Sequence, residues 1–442
     1  MKKFIAILCA VSFVFSLYAC DKVAETQDTS VISKVTESVV KVTEKLTDVP
    51  DENIILEPLG REDEEDSVLG PLGYGKSDDI AGVTADFGFE LFRCSLAQGD
   101  NALVSPVSVM AALSMAADGA NGETLAEMEK VLGMTNEDLR EYYGGYVHPA
   151  NSSEELRFAN SLWLRNDGSF QVNKNFVDRT LEAYGADIFS EPFDAETKDK
   201  INYWISKKTD GEIENMLDEI PPEAVSYIIN TVLFEAEWEN RYNEINVIEN
   251  QPFTDANGEK QTVTMMGSIE NYFVRIGKTK GFVKNYKGGE YAFVGLLPDE
   301  GVSVEDAAAS FSGEDFLNAV NNAEVKTVKV SIPKFSFDCK FELNETLKTM
   351  GMPTAFDSDK ADFTNLGTSP MGNIYIGRVL HNTFICFDEA GTKAGAATIV
   401  EFECECAMLD IEYLAFDRPF IYAIVDTSTG MPIFIGAVET FN

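Results

Sequence analysis

Residues 391–408 read GTKAGAATIVEFECECAM and alternate in the manner of a β-strand along their length. Every charge falls on one parity, at Lys393, Glu401, Glu403 and Glu405. The other parity reads Thr392, Ala394, Ala396, Thr398, Val400, Phe402 and Cys404. A period of two specifies a strand with one face buried and one face wet. The first half is glycine, alanine and threonine, which anchors weakly in a sheet and leaves the backbone free to move. A segment patterned for insertion but composed like a joint at its start fits a strand that enters its sheet conditionally. An ordinary edge strand of a hairpin fits the alternation equally well.

The rest of the chain narrows the choice. With 442 residues, 48.7 kDa and 45% hydrophobic residues it can bury a large core in one big domain or two. A formal net charge of −39 excludes nucleic acid and anionic lipid surfaces as partners and favours cationic ones. Only His148 and His381 supply imidazole, and no G-x-S-x-G elbow, phosphate-binding G-x-x-x-x-G-K-[ST] loop or H-E-x-x-H is present. Those enzyme classes are disfavoured, and no catalytic residue or cofactor is expected. Cysteines at 94, 339, 386, 404 and 406 form no disulfide framework, and Cys404-x-Cys406 lacks a histidine nearby, so no metal site is expected either.

The N-terminus reads as an export signal, with Lys2 and Lys3 before a short apolar run from Phe4 to Tyr18 that is too brief to span a membrane. It ends Leu17-Tyr18-Ala19-Cys20, which resembles a bacterial lipobox although Tyr18 is bulkier than usual there. On that reading residues 1–19 are a signal peptide and Cys20 is lipidated, tethering a secreted protein to the outer face of a bacterial cell membrane. A simple secretory cut is the alternative, and Leu17 suits it poorly. Residues 20–79 carry few aromatics, the run Glu62-Asp63-Glu64-Glu65-Asp66 and the turn-rich Gly70-Pro71-Leu72-Gly73. Such a segment cannot bury enough apolar area to order itself and reads as an acidic, disordered tether. The folded domain is expected over residues 80–442, as a monomer touching the membrane only through its lipid.

Within that domain the apolar spacing predicts helices at Phe87 to Leu96, Val107 to Ala117, Leu125 to Val131, Val177 to Tyr184, Ile201 to Thr209 and Leu343 to Met350. Ser105-Pro106 reads as a cap and first turn, and Val107 to Ala117 as a helix buried on nearly all sides. Strands are predicted at Phe158 to Leu164, Tyr227 to Leu233, Tyr291 to Leu297, Thr327 to Ile332, Thr383 to Phe387, Phe420 to Asp426 and Ile433 to Val438. The mixture has no β-α-β regularity and points to an α+β fold.

From Ile80 onward the residues resemble the serpin family. The resemblance rests on Asn101 with Ser105-Pro106-Val107-Ser108, Gly119-Ala120-Asn121-Gly122-Glu123-Thr124, Ala159-Asn160-Ser161-Leu162-Trp163 and Ile201-Asn202-Tyr203-Trp204 with Thr209 and Gly211. It continues in Asn230 with Phe234 and Trp238, Val263 with Met265-Met266, Pro333-Lys334-Phe335, His381, Asp388-Glu389-Ala390-Gly391-Thr392 and Phe416-Asp417-Arg418-Pro419-Phe420. Three places depart from the family pattern: Lys284-Asn285-Tyr286 stands where Leu-Pro-Tyr is usual, Asn382 follows His381 where a base is common, and Thr440-Phe441-Asn442 replaces a proline-containing end.

The resemblance implies a serpin fold, with a large central mixed or antiparallel sheet, further sheets, about eight or nine helices and an exposed reactive-centre loop. It implies a metastable suicide inhibitor that forms a covalent acyl complex with a target serine protease. After attack on the loop the freed strand would insert into the central sheet, drag the protease along and distort its oxyanion hole, so that deacylation stops. The parity of residues 391–408 suits this, since insertion buries no charge. The family's hinge falls on Gly391, Thr392, Ala394, Gly395, Ala396 and Ala397; its shutter, where the sheet parts, on Ser105, Ser108, Asn230 and His381; and its breach on Trp238, Lys334 and Glu389, with an ion pair expected between Lys334 and Glu389.

Counting as the family does puts the scissile bond at Glu405-Cys406, with Cys404 and Met408 as alternatives one to three residues away. Glu405 would suit a glutamate-preferring protease; Cys404, Cys406 or Met408 would suit the small apolar pocket of elastase-like enzymes, which the acidic loop also favours. A cysteine-protease target and a non-inhibitory serpin acting as a binding protein stay open.

Overall fold

The structure is a computed structural model and describes residues 77–96, 101–392 and 411–441. In chain order it begins α1 (Ser77–Leu96), β1 (Ala102–Val104), α2 (Pro106–Ala117), α3 (Gly122–Leu132), α4 (Asn136–Tyr146), β2 (Leu156–Arg165), β3 (Gln171–Val172), α5 (Lys174–Tyr184), β4 (Asp187–Glu191) and α6 (Ala195–Lys208). There follow β5 (Ser226–Phe234), β6 (Ala236–Glu237), β7 (Val247–Thr254), β8 (Lys260–Ile276), β9 (Thr279–Asn285), β10 (Tyr291–Pro298), α7 (Val304–Ala308), α8 (Gly313–Asn321), β11 (Glu324–Pro333) and β12 (Phe335–Glu342). The chain closes with α9 (Asn344–Met350), β13 (Gly367–Thr368), β14 (Leu380–Phe387), β15 (Gly391–Thr392), β16 (Ile411–Ala415), β17 (Phe420–Asp426) and β18 (Pro432–Val438). Among the described residues there are thus nine α-helices, and α1 begins at Ser77, just ahead of Ile80.

Every helix and strand predicted from spacing is present; most are extended by a residue or more, Phe420–Asp426 matches at both ends, and the helix expected from Leu343 begins one residue later, at Asn344. Helix α2 shows why: Ser105 caps it through its side chain, Pro106 opens its first turn, and all but two of its residues are buried. Of the elements that spacing missed, β12 does alternate, with Phe335, Phe337, Cys339 and Phe341 on one parity, and α8 buries Phe316 and Leu317 on one face, whereas others lack a clean period. Helix α4 carries Gly144-Gly145 near its end and is held instead by its Thr135 cap, while β7 buries only one of its eight residues.

Nine strands form one large sheet, β1-β18-β17-β10-β9-β8-β11-β16, with β7 paired to β8. The sheet that matters for function lies apart from it and is parted down its middle. On one side are β4-β2-β5, with β2 parallel to β4 and antiparallel to β5. On the other are β12-β14-β15-β6, and β6 follows β5 after the single residue Glu235. Among the described residues β5 and β14 do not pair with each other. One face of these strands packs on the main core around α2. The other face of β2 and β5 closes a second, smaller core, where Trp163, Ile229 and Ala159 meet Ile201, Trp204 and Ile205 of α6.

Candidate functional site: a parted sheet with its upper end filled

At the upper end of the parting, β15 lies between β14 and β6. Thr392 sits opposite Phe387 on one side and Ala236 on the other, and Gly391 opposite Glu237. A Cβ at Gly391 would come within 2.1 Å of the Ala236 carbonyl oxygen, so only glycine lets the two backbones approach. Thr392 is buried, and its hydroxyl shares a 2.7 Å hydrogen bond with that of Tyr286. The turn that delivers β15 is gripped from the β6 side. Trp238 donates its backbone N–H to the Ala390 carbonyl and its indole N–H to that of Asp388, both at 2.9 Å, and Tyr242 donates its N–H to the Glu389 carbonyl at 3.0 Å. Trp238 itself stacks on Tyr286 with ring centroids 4.4 Å apart.

The expected Lys334 to Glu389 pair is present, with Nζ 2.7 Å from Oε2. Burial is the largest single influence on the Glu389 carboxyl and raises it, but the hydrogen bond from Lys334, a backbone hydrogen bond and the lysine's charge together hold it below the usual carboxylate range.

Below β15 the parting is a cavity of about 700 Å³ between β5 and β14, lined among others by Ser105, Ser108, Ile229, Asn230, Leu380 and His381. His381 is buried, and its Nε2 accepts the Ser105 N–H at 2.9 Å, which assigns the imidazole proton to Nδ1. Burial depresses its pKa from 6.5 to about 4. The Ser105 hydroxyl donates to the Ile433 carbonyl at 2.9 Å and accepts the Ser108 N–H.

Asn230 goes elsewhere. Its amide donates to Asn160 Oδ1 at 2.7 Å, and Asn160 in turn donates to the carbonyls of Val147 and Tyr184. The four residues expected as one polar cluster therefore line one cavity, but no hydrogen bond joins Asn230 to His381 across it. The cost is visible: Asn230 Oδ1, Asn382 Oδ1 and Ser226 Oγ are buried on the cavity wall without a hydrogen-bond partner among the described residues.

Ala394, Gly395, Ala396 and Ala397, the candidate scissile residues Cys404, Glu405, Cys406 and Met408, and the signal, Cys20 and most of the tether lie outside the described residues. Cys94, Cys339 and Cys386 are free thiols, and Cys94 is half-buried at the edge of the core rather than within it. Among the described residues no three His, Cys, Asp or Glu side chains stand close enough to hold a metal ion. Sequence reasoning missed Tyr286 and Tyr242 as partners of the loop turn, and Asn160 as the anchor of Asn230. The one signal for Asn160 was a lone amide in a strand whose residues are nearly all buried.

The parted sheet matches a known architecture. The family model for serpins, described as serine protease inhibitors, matches residues 83–440. The chain belongs to the serpin family. Among curated serpins it is 29% identical over 376 residues to a serpin-like protein of Thermococcus kodakarensis, covering 83% of this chain and 86% of that one. It is 27% identical over 383 residues to leukocyte elastase inhibitor A of Mus musculus, covering 82% of this chain and 99% of the inhibitor.

Among solved structures it resembles the thermophilic serpin tengpin in its native state, at 43% identity and a TM-score of 0.77, over 82% of this chain and 95% of tengpin. Tengpin in its latent state aligns with a TM-score of 0.73. Human thyroxine-binding globulin shares the fold at 23% identity, which shows that a serpin fold alone does not decide what a member does. Serpins as a class inhibit proteases and do not catalyse.

Proposed function

We propose that this serpin is a suicide inhibitor of serine endopeptidases of the elastase-like class, held at the outer face of a bacterial membrane by a lipid on Cys20. The observation that carries the inhibitory reading is the parted sheet with Gly391 and Thr392 seated at its top. Their pairing fixes a register for the strand that follows. Six residues on from Thr392 is Thr398, six back from Phe387 is His381, and six back from Ala236 is Asn230. An inserted loop would bring the Thr398 hydroxyl between the two shutter residues that now share no bond, within reach of the unpartnered Asn230 Oδ1.

One residue further, Ile399 would fall between Ile229 and Leu380, which border the smaller core under α6. An uncharged residue on the outer parity thus meets an apolar surface, and the charges at 393, 401, 403 and 405 stay at the solvent face. About 14 residues at ~3.3 Å each would carry an acyl-enzyme some 45 Å down the slot.

The elastase-like preference rests on the acidic loop, on Cys404, Cys406 and Met408 as residues for a small apolar pocket, and on the likeness to a leukocyte elastase inhibitor. Strict counting to Glu405 keeps a glutamate-preferring protease as the second reading.

Challenge with an elastase-like and a glutamate-preferring protease, read by denaturing gel and intact mass, tests this directly. The proposal expects a covalent complex with the first and release of a C-terminal peptide starting at residue 405, 406, 407 or 409. Cleavage without complex would reduce the protein to a substrate. The nicked protein should also melt about 6–18 °C higher than the intact one. Partnering three buried polar atoms is worth roughly 1–3 kcal/mol each, and each kcal/mol moves the midpoint of a large domain by about 2 °C. For the anchor, Cys20→Ala should move the protein from the membrane fraction to the soluble one, and no change would remove the lipid.

A further inference from the structure

Behind the turn that delivers the hinge lies a lysine where the family pattern carries leucine. Lys284, on β9, is 3% exposed, and its Nζ is 2.8 Å from Oε1 of Glu270 on β8, itself 9% exposed. A pair so buried is costly to desolvate and contributes net stability only when its remaining surroundings favour the charges.

Here they do, because the same ammonium lies over two aromatic faces. It is 4.5 Å from the ring centroid of Tyr242 and 5.5 Å from that of Trp238. These are the two residues that bind the carbonyls of Asp388, Glu389 and Ala390. The ammonium therefore touches, from the side of the large sheet, the residues whose other side holds the loop turn.

We propose that Lys284, fixed by Glu270, is a positioning residue of the trap: it holds Tyr242 and Trp238 against the 388–390 turn and so restrains the hinge from advancing beyond Thr392 before the loop is cut. The inference rests on the trapping mechanism proposed above and adds a restraint to it. Lys334 and Glu389 hold the same turn from the front, each about a third exposed; Lys284 acts from behind, where it is buried. Among the described residues neither Lys284 nor Glu270 bonds to the 388–390 turn itself, so their effect on it passes through the rings.

The test needs no target protease. Intact protein is incubated warm, and conversion to the loop-inserted form is followed by the rise in its unfolding midpoint and by loss of proteolytic sensitivity in residues 393–410. Lys284→Met and Tyr242→Leu should each raise the conversion rate at least fivefold, and combining them should add nothing further, because each removes the same contact. Tyr242→Phe keeps the ring and should convert at the rate of the unaltered protein, which separates the ring from its hydroxyl, while the non-additivity with Lys284→Met separates the ring's contact with the ammonium from packing alone.

Conversion of Lys284→Met at the unaltered rate, or single effects that multiply in the double variant, would overturn the inference. If Lys284→Met does not fold, the contrast between Tyr242→Phe and Tyr242→Leu decides alone: equal rates refute the ring's part. Failure of the trapping reading is separable, because in that case cutting the loop of the unaltered protein leaves its midpoint unmoved, and the restraint falls with it.

Discussion

The two ends of the parted sheet differ in a way that locates the instability of the molecule. At the top, β15 fills the gap, and the chain around it is hydrogen-bonded, ring-stacked and ion-paired. A few residues lower, β14 and β5, the strand that runs on into β6, face each other across a cavity of about 700 Å³, where Asn230, Asn382 and Ser226 each hold a side-chain atom unpartnered among the described residues. Buried polar groups without partners cost roughly 1–3 kcal/mol each, and a void forfeits the dispersion contacts that an occupant would make. The upper end thus resembles a finished sheet and the lower end one that lacks a strand. Such a difference drives a sheet to take up its own loop, provided the loop carries nothing that the slot rejects.

The largest expected effect comes from making the slot reject it. In the register set by Thr392, Ala396 would lie between Thr383 and Val232, on the face turned to the main core. Ala396→Glu would bury an unpaired carboxylate there, at a cost of several kcal/mol. With insertion slowed, deacylation wins, and the yield of covalent complex per loop cleaved should fall at least tenfold on titration against the target protease. Lys393→Glu, on the solvent parity, should leave that yield within about twofold. Equal damage from both would mean that the two faces do not differ and that the register is wrong.

A smaller effect tests the lower end through pH. His381 is held neutral, with a pKa depressed by burial to about 4 against an ordinary 6.5. Because the folded form binds the proton less readily than the unfolded chain, the stability tied to this group is full above pH 6.5. It drains as pH falls and is gone below about 4, a swing of about 3 kcal/mol. Protonation would also remove the acceptor for the Ser105 N–H. Urea unfolding at several pH values should therefore show the intact protein losing more stability between pH 6.5 and 4 than His381→Gln does, by about that amount. Parallel curves would show that the imidazole is already solvated in the intact form.

Much of this was legible from the chain, and the gaps have physical causes. The Ser105-Pro106 cap and the apolar runs of β5, β10, β14, β17 and β18 each state a local preference that the fold keeps. The polar strands β7 to β9 were not legible, because their pattern depends on which neighbour covers each face. The hydrogen bonding among the shutter residues was not legible for a related reason. Ser105, Ser108, Asn230 and His381 do share a cavity, but whether they bond to one another depends on the width of the gap, which no single residue encodes. Lys284 was noted only as a departure from the family pattern. Its meaning needed Glu270, 14 positions away, and two rings to come together around it.

The smallest effect separates the two ion pairs that hold the loop turn. Lys334 and Glu389 are each about a third exposed, so their attraction is screened by water and salt and is worth no more than about 1 kcal/mol. Glu389→Ala should therefore speed spontaneous loop insertion only about two- to fivefold, read as loss of inhibitory capacity on prolonged warming. Raising the salt to about 1 M should speed the unaltered protein by a similar factor and Glu389→Ala less, because the variant has already lost the exposed pair made by the turn itself. Lys284→Met should keep the salt response, since its own lost pair was buried and the front pair survives in it. If Glu389→Ala holds full capacity after warming, Lys334 and Glu389 are bystanders, and the grip on the turn belongs to Trp238 and Tyr242 alone.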